Sequence, residues 1–508
     1  MKLNYKKTIF VGFAFFLICT FWQAYDTIIP KILTDKFGMS QSISGAVMAL
    51  DNILALFLLP IFGAISDRCH SKLGRRTPFI LIGTIIAAVV FVGLSFADNM
   101  QLSHLGDVAS SDNTKVLETL YDNEYDKALK TPDGTEYVIK EKFTREQFTS
   151  IEKNSKDYSD YVVPARQSYA WQQTVKNPTA LIFFAGLLLI VLVAMGIFRS
   201  PAVALMPDVT IKPLRSKANA IINLMGTAGG IVVLVLGMIF KTGSADNALM
   251  SYTVFFSAIA AIMLGALVIF MLTVREPKLV CEMKEDSKRL GLDDEGTDDS
   301  QSGGKKLSKS EFTSLILILA SVVLWFMGYN AVTSKYSVYA GKVLALDYNL
   351  TLIIAQAAAV IAYITVGIIS SKFGRRKTIM AGILMLATAF GAASFLRAGS
   401  SVILMDCLFA LAGIGWATIN VNSYPMVVEL SRGGDVGKYT GFYYTASMAA
   451  QTVTPILSGF FLDIKFTTLF PYATVFVCGS LITMFFVKHG DSKPIVKKDV
   501  LESLDVGD

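Results

Sequence analysis

Charge and histidine are scarce in this chain. Asp, Glu, Lys and Arg make up 17% of its 508 residues, and it has three histidines. The sequence contains no Walker loop, no G-x-S-x-G elbow and no H-E-x-x-H motif, which are typical of ATPases, serine hydrolases and zinc proteases. The sequence therefore predicts a protein that is not an enzyme and that uses no metal or organic cofactor.

Cysteine is also sparse. The chain has five cysteines, and no two of them form a C-x-x-C pair. This pattern indicates neither a disulfide framework nor a zinc site.

Apolar residues are abundant instead, at 53% of the chain, and the mean hydropathy is +0.52. The charges are concentrated in loops and leave apolar windows of about 20 residues, the length that a helix needs to cross a bilayer. We therefore predict an all-α membrane protein embedded in a lipid bilayer. Twelve transmembrane helices are expected, at residues 8–30, 42–66, 78–97, 179–206, 217–240, 251–274, 312–340, 349–370, 379–397, 402–428, 438–462 and 468–488. The first run is too long for a signal peptide, so we expect it to be retained.

Most lysines and arginines of the short loops fall on one side of these helices, and the positive-inside rule makes that side cytoplasmic. The net charge of +6 is explained in this way, and nucleic acid is not expected as a partner. The predicted location is the cell membrane, with several passes and with both termini in the cytoplasm.

The helices divide into two similar halves, which predicts two pseudo-symmetric six-helix bundles. The expected parts are a first bundle at 1–97 and 179–274, an extracytoplasmic insert at 98–178 between helices 3 and 4, a cytoplasmic linker at 275–311, a second bundle at 312–488 and a cytoplasmic tail at 489–508. The acidic, Gly/Ser-rich segment 293–306 within the linker is typical of a disordered tether.

The insert has the pattern of a small folded cap. Residues 115–130 have apolar side chains at helical spacing, 132–134 (PDG) is a turn signal, and 136–143 alternates like a strand. Two roles are open: a decoration that only adds surface, or a lid or receptor-like element over the entrance.

A basic turn between apolar runs occurs once in each half. The first, Gly63–Ile80, reads GAISDRCHSKLGRRTPFI, and the second, Gly367–Ile379, reads GIISSKFGRRKTI. Their charges can close an inner gate by pairing with each other and with helix ends, or they can serve only as topology anchors. The predicted gating residues here are Asp67, Arg68, Arg75, Arg76, Arg375 and Arg376.

The pattern G-x-x-x-D-R…G-R-R, complete in the first half and repeated in the second with a changed Asp–Arg pair, resembles the signature of the major facilitator superfamily. KLGRRTPFI at 72–80 is similar to the turn of the sucrose–proton symporters, which belong to the glycoside–pentoside–hexuronide:cation symporters. LPIFGAISDR, KANAIINLMGTAGG and GKYTGFYYTASMAAQTVTP fit the same group. The resemblance implies the major facilitator fold and proton-coupled symport of a sugar or glycoside by alternating access. A monomer is expected.

Three departures from that family are visible. Ser371 stands where the first copy has Asp67, and the insert 98–178 is not typical of the family. Helix 11 lacks the lysine that sodium-coupled melibiose carriers have there, so a proton is expected as coupling ion rather than sodium.

A few charges lie within the predicted spans, where each is costly and is a functional candidate. Asp51 is near the middle of helix 2, in apolar surroundings that favour the neutral acid, as a proton carrier requires. The resemblance implies a coupling carboxylate in helix 2, and Asp51 occupies that place; the alternative is a hydrogen-bonded packing carboxyl beside Asn52. Arg199 in helix 4 is expected to pair with Asp51, to meet substrate hydroxyls, or to pair with Asp208.

Asp26 and Lys335 lie at similar depths in the first helix of each half. Two arrangements are open. Asp26 and Lys335 form an ion pair at an outer gate, or Asp26 contacts sugar hydroxyls while the Lys335 side chain extends to the outer membrane interface. Amides, carboxylates and aromatic rings suit a sugar. The predicted substrate residues are Gln23, Asp26, Tyr329, Asn330, Asn420 and Asn422.

Two other functions fit the sequence. One is a carrier of the same fold for a lysolipid or a drug-like amphiphile, which predicts a mostly apolar cavity. The other is a membrane sensor that uses the insert as a receptor, which predicts that deletion of the insert abolishes function.

Overall fold

Long helices occupy the positions of the apolar windows. The computed structural model describes residues 4–153, 155–211, 214–244, 247–289, 308–430 and 436–490. In chain order the α-helices are α1 (Tyr5–Lys31), α2 (Gln41–Asp67), α3 (Thr77–Leu105), α4 (Asn113–Glu124), α5 (Ile139–Lys142), α6 (Arg145–Thr149), α7 (Val163–Lys176), α8 (Thr179–Asp208), α9 (Arg215–Ile239), α10 (Thr253–Thr273), α11 (Glu276–Arg289), α12 (Lys309–Tyr339), α13 (Tyr348–Phe373), α14 (Arg375–Ala393), α15 (Val402–Val428), α16 (Val436–Ile464) and α17 (Leu469–Phe485). Among the described residues, ten helices are long and apolar enough to cross a membrane.

The helices form two groups, each with its own hydrophobic core. Helices α1–α3 and α8–α10 enclose one core, which includes Phe21, Phe91 and Phe256. Helices α12–α17 enclose a second, which includes Trp325, Tyr336 and Phe470. We call these groups the first half and the second half. Their first helices share a local feature, because α1 continues into a π-helical turn at Ile32–Lys36 and α12 into one at Ala340–Leu344.

Among the described residues, three helix pairs provide the most extensive contacts between the two halves. Helix α1 packs against α12, α2 against α16, and α9 against α13. The tightest approach is between α2 and α16, where a Cβ added to Gly45 would lie 2.0 Å from the carbonyl oxygen of Pro455. This contact lies near the start of α2 and the end of α16, and therefore at the end of the molecule that carries the insert.

The insert is folded and has a core of its own, which includes Val116, Leu120 and Phe148. The strands β1 (Ala128–Lys130) and β2 (Glu136–Val138) form an antiparallel hairpin. The predicted helix at 115–130 is α4, which ends at Glu124. The strand predicted at 136–143 is wrong beyond Val138: residues Ile139–Lys142 form α5, because Ile139 is buried in the core of the insert and the Lys140 N–H donates to the Tyr125 carbonyl.

Two further boundaries differ from the prediction. Helix α3 continues to Leu105 rather than ending at 97, because Asp98 and Gln101 are buried and hydrogen-bonded. The predicted linker contains α11, which follows α10 almost directly. The predicted tether 293–306 and the tail residues 491–508 lie outside the described residues.

Candidate functional site

The first Gly–Arg–Arg turn is fixed to the end of α8. Arg76 is buried, and its guanidinium donates to Asp208 at 2.9 Å and to Asp67 at 2.5 Å. Arg75 also reaches Asp208, at 3.3 Å. Arg68 is exposed, with no side-chain partner in the part of the chain that the structure describes. The Arg76 guanidinium therefore joins the start of α3 to α2 through Asp67 and to α8 through Asp208. The sequence indicated Asp208 only as an alternative partner of Arg199, not as a partner of this turn.

Glu276 is a second partner of this turn that sequence reasoning missed. Its carboxylate is buried and accepts the backbone N–H groups of Arg75, Arg76 and Thr77 at 2.7–3.0 Å. These N–H groups begin α3 and have no partner within the helix, so Glu276 caps α3 and opposes its dipole. The signal in the sequence is the position of Glu276 directly after an apolar run, although that position also fits the start of a linker.

The second Gly–Arg–Arg turn is also held within its own half. Arg375 donates to Glu429 at 2.8 Å, and Arg376 donates to the carbonyl of Phe485 at 2.5 Å. Within the described ranges no ion pair of either turn joins the two halves. The ion pairs that these charges form among the described residues therefore lie within each half.

Three charged side chains gather at mid-depth in the first half. Asp26 on α1, Asp51 on α2 and Arg199 on α8 are all half-buried, and Arg199 interacts electrostatically with both carboxylates. Asp51 accepts a 2.8 Å hydrogen bond from the Asn52 amide, and Arg199 lies 5.3 Å from the ring centroid of Trp22. We call Asp26, Asp51 and Arg199 the central charge cluster. The alternative pairing of Arg199 with Asp208 is not formed, because Asp208 binds Arg75 and Arg76.

Buried polar groups without a protein partner lie beside this cluster. Over the described residues, they include the Trp22 Nε1, next to Arg199, and the Tyr25 hydroxyl, next to both carboxylates. On α12 of the second half, the buried Asn330 Nδ2 also has no protein partner among the described residues. A buried donor that lacks a partner costs free energy unless a ligand or water binds it. These atoms are therefore candidate contacts for a polar substrate.

The second half contributes an aromatic surface. Tyr329 on α12 stacks on Trp416 of α15 with centroids 3.7 Å apart and planes 2° from parallel, and Phe326 meets Trp416 edge-on. Asn420 donates to the Tyr363 hydroxyl at 3.4 Å. A rigid aromatic pair next to amide groups is suited to the apolar face and the hydroxyls of a sugar ring.

Two other predicted substrate residues are occupied by protein contacts. Gln23 accepts a 2.6 Å hydrogen bond from Gln356, which joins the two halves at mid-depth. Asn422 is buried and donates to the Thr418 carbonyl of its own helix at 2.9 Å. Gln23 therefore serves the contact between the halves in this conformation, while Asn422 is turned toward its own helix.

The predicted pair between Asp26 and Lys335 is wrong for this conformation. Lys335 is fully buried and donates to the Gln41 carbonyl at 2.9 Å, close to Asp463. Asp463, at the end of α16, accepts from the Gln41 N–H at 2.6 Å, from the Ser42 N–H at 2.9 Å and from the Ser42 hydroxyl. A carboxylate of the second half thus caps a helix of the first half. The sequence could not reveal this contact, because it depends on how the halves meet.

Comparison with protein families identifies the chain. The model described as Major Facilitator Superfamily matches residues 177–421 and 345–502, which together exceed half of the chain, and the model described as MFS/sugar transport protein matches residues 10–109. The chain belongs to the major facilitator superfamily, and it is a transporter rather than an enzyme.

Curated relatives match over short segments. Sucrose transport protein SUT5 of Oryza sativa subsp. indica is 35% identical over 74 residues, which are 15% of this chain and 14% of that protein. Proton-associated sugar transporter A of Homo sapiens is 33% identical over 96 residues, which are 19% of this chain and 12% of that protein. The matched segments thus span about one seventh or less of these relatives.

A solved structure covers almost the entire chain. The inward-open conformation of the xylose transporter XylE from E. coli has a TM-score of 0.56 and is 16% identical, with 99% of each chain covered. At this identity the likeness establishes the fold alone.

Proposed function

We propose that this protein is a secondary transporter that couples the entry of a proton to the symport of a sugar or glycoside by alternating access. Twelve helices cross the cell membrane, the termini are cytoplasmic, and the insert is outside. The central charge cluster is the observation that carries this proposal. The aromatic pair of the second half and the partnerless polar atoms near the cluster support a hydroxyl-rich substrate. No cofactor is required, and the ion is a proton rather than sodium.

The charge balance of the cluster suggests how coupling works. Asp26, Asp51 and Arg199 together carry one excess negative charge when both carboxylates are ionised. Enclosing an uncompensated charge in a closed site is costly, and one bound proton removes it. Asp51 is the proposed proton acceptor, and Arg199 stabilises it after the proton leaves.

The conformation of the molecule supports alternating access. The halves are joined by hydrogen bonds near the insert and at mid-depth, while each Gly–Arg–Arg turn is bonded within its own half. With the insert outside, this is an inward-facing state. In the outward-facing state, the two turns would approach each other and close the inner gate.

The test is a pH-electrode assay on proteoliposomes in weak buffer, with a panel of disaccharides and glycosides added outside. We expect one sugar to cause external alkalinisation, and Asp51→Asn to abolish this signal while some sugar exchange continues. Asp406→Asn is the matched control, because Asp406 is a half-buried helix carboxylate outside the cluster.

Two outcomes would contradict the proposal. Normal proton uptake by Asp51→Asn would remove the carboxylate from coupling. No response of the folded wild-type protein to any sugar would favour the lysolipid or drug-like cargo instead.

A further inference from the structure

The insert is anchored to the first half through α7. A Cβ on Gly38, at the start of the α1–α2 connection, would lie 2.2 Å from the backbone nitrogen of Trp171, so the two backbones are in direct contact. The Thr174 hydroxyl donates to the Phe37 carbonyl at 3.0 Å and accepts from Gln101 of α3 at 2.9 Å. Because these contacts are buried, α7 moves with the first half.

The hairpin of the insert reaches across to the second half. The turn between β1 and β2 accepts a 2.8 Å hydrogen bond at the Pro132 carbonyl from the N–H of Phe466, which follows α16. A Cβ on Gly134 would lie 2.9 Å from the Ile464 carbonyl oxygen and 3.7 Å from the Lys465 Cβ. The hairpin turn is therefore seated on the end of α16, next to Asp463.

Gln167 of α7 bridges both halves with one amide. Its nitrogen donates to the Met39 carbonyl of the first half at 2.9 Å, and its oxygen accepts from Lys342 of the second half at 2.8 Å. Lys342 is buried and lies 3.7 Å from Asp35 of the first half. The contact between Lys342 and Gln167 is a charge-assisted hydrogen bond. It joins the insert to the second half, and the two separate if the outer end opens.

We propose that the insert is a clamp that holds the outer end of the transporter closed. The insert travels with the first half, and its bonds to Lys342 and Phe466 must break before α2 can leave α16. The clamp therefore raises the fraction of inward-facing molecules, and Gln167 is its positioning residue. This inference rests on the proposed alternating access.

The first test measures opening directly and needs neither sugar nor a proton gradient. Ser44 is fully buried, one turn after Gln41 on the same side of α2. A cysteine at this position, in a background with the five native cysteines changed to serine, reports opening through its rate of maleimide labelling in detergent. We expect Gln167→Leu to raise this rate about tenfold, the loss expected for one hydrogen bond to a charged group.

The matched control is Gln172→Leu on the same helix. Gln172 is bonded to Glu124 and Ser168 within the insert, and its hydrogen bonds among the described residues do not reach the second half. We expect its labelling rate to equal that of the parent. Equal rates for the two variants would overturn the clamp, and they would leave the proposed transport untouched.

The second test locks the clamp. A Cβ–Cβ separation of 3.7 Å between positions 134 and 465 falls in the range of about 3.5–4.5 Å that a disulfide needs. We expect oxidised Gly134→Cys/Lys465→Cys to lose more than nine-tenths of its uptake and to recover it on reduction, with the reduced form as its own control. A disulfide that forms without slowing uptake contradicts the proposal. If the wild-type protein also takes up no sugar, the proposed function has failed instead.

Discussion

Lys36 and Asp98 form a fully buried ion pair in the first half. Both side chains are 0% exposed, and the ammonium lies 2.6 Å from each carboxylate oxygen. Lys36 also donates to the Met250 carbonyl and lies 4.3 Å from the ring centroid of Tyr252. The pair joins the end of α1 to the end of α3 and to the connection before α10, so it stabilises the base on which the insert rests.

We expect Lys36→Met to lower the free energy of unfolding by about 3–5 kcal/mol, because it leaves the Asp98 carboxylate buried and unpaired. Lys36→Met/Asp98→Asn removes both charges and should recover most of that loss. The control is Lys7→Met, whose partner Glu282 is partly exposed, with an expected cost below about 1 kcal/mol. Denaturant unfolding in detergent measures all three. Equal costs for Lys36→Met and Lys7→Met would show that the buried pair is dispensable.

Residue types and depth predicted a pairing of Arg199 with Asp51 as one of three alternatives, but they placed Asp26 with Lys335 rather than in the central charge cluster. Asp51 and Arg199 are recognisable because each charge interrupts a long apolar run. The predicted helix bounds place Lys36 and Asp98 in loops, since each lies beside polar residues near a helix end. Their pairing depends on where two helix ends meet, which no local pattern records.

The bounds of most helices followed from the length of the apolar windows, because a membrane span must be apolar for about 20 residues. Helix α3 is an exception, because it extends beyond its apolar window. Its last turns contain Asp98 and Gln101, which resemble a loop in composition but bond to Lys36 and Thr174. The last turns of α3 are stabilised by hydrogen bonds to other segments rather than by contact with lipid. Their sequence is therefore not apolar, and hydropathy does not predict them as part of the span.

Close packing of α2 on α16 requires glycine at two positions. Added Cβ atoms would lie 2.0 Å from the Pro455 carbonyl oxygen at Gly45 and 2.3 Å from the Gln41 carbonyl oxygen at Gly459. Such contacts cannot be relieved by side-chain rotation, since backbone faces backbone. The outer end can therefore close only while both positions lack a side chain.

We expect Gly45→Leu to prevent outer closure, because the leucine side chain would overlap α16. Sugar binding from outside should persist, while uptake into proteoliposomes should fall more than tenfold. Gly186→Leu on α8 is the control, since nothing lies within 4 Å of a Cβ there, and its uptake should match that of the parent. Normal uptake by Gly45→Leu would mean that α2 and α16 need not meet during transport.

The division into two halves was predictable, because the Gly–Arg–Arg turn and the six-helix pattern repeat along the chain. The end at which the halves meet was not. A transporter that alternates between two states encodes the contacts of both in one sequence, so the pattern alone cannot indicate which set is formed. The contacts of Asp463, Lys335 and Gln167 belong to the closed outer end and became visible only in the structure.

Asp463 on α16 caps the start of α2, and this cap can form only while the two halves are in contact at the outer end. Its carboxylate accepts two backbone N–H groups at the start of α2, in the other half. We expect Asp463→Asn to shift the population about tenfold toward outer opening, because the neutral amide loses the attraction to the helix dipole and one acceptor. Spin labels at the exposed positions 115 and 398 would report this as a longer distance. Asp112→Asn, at a cap inside the insert, should leave the distance distribution unchanged; identical distributions for both variants would show that Asp463 does not hold the halves together.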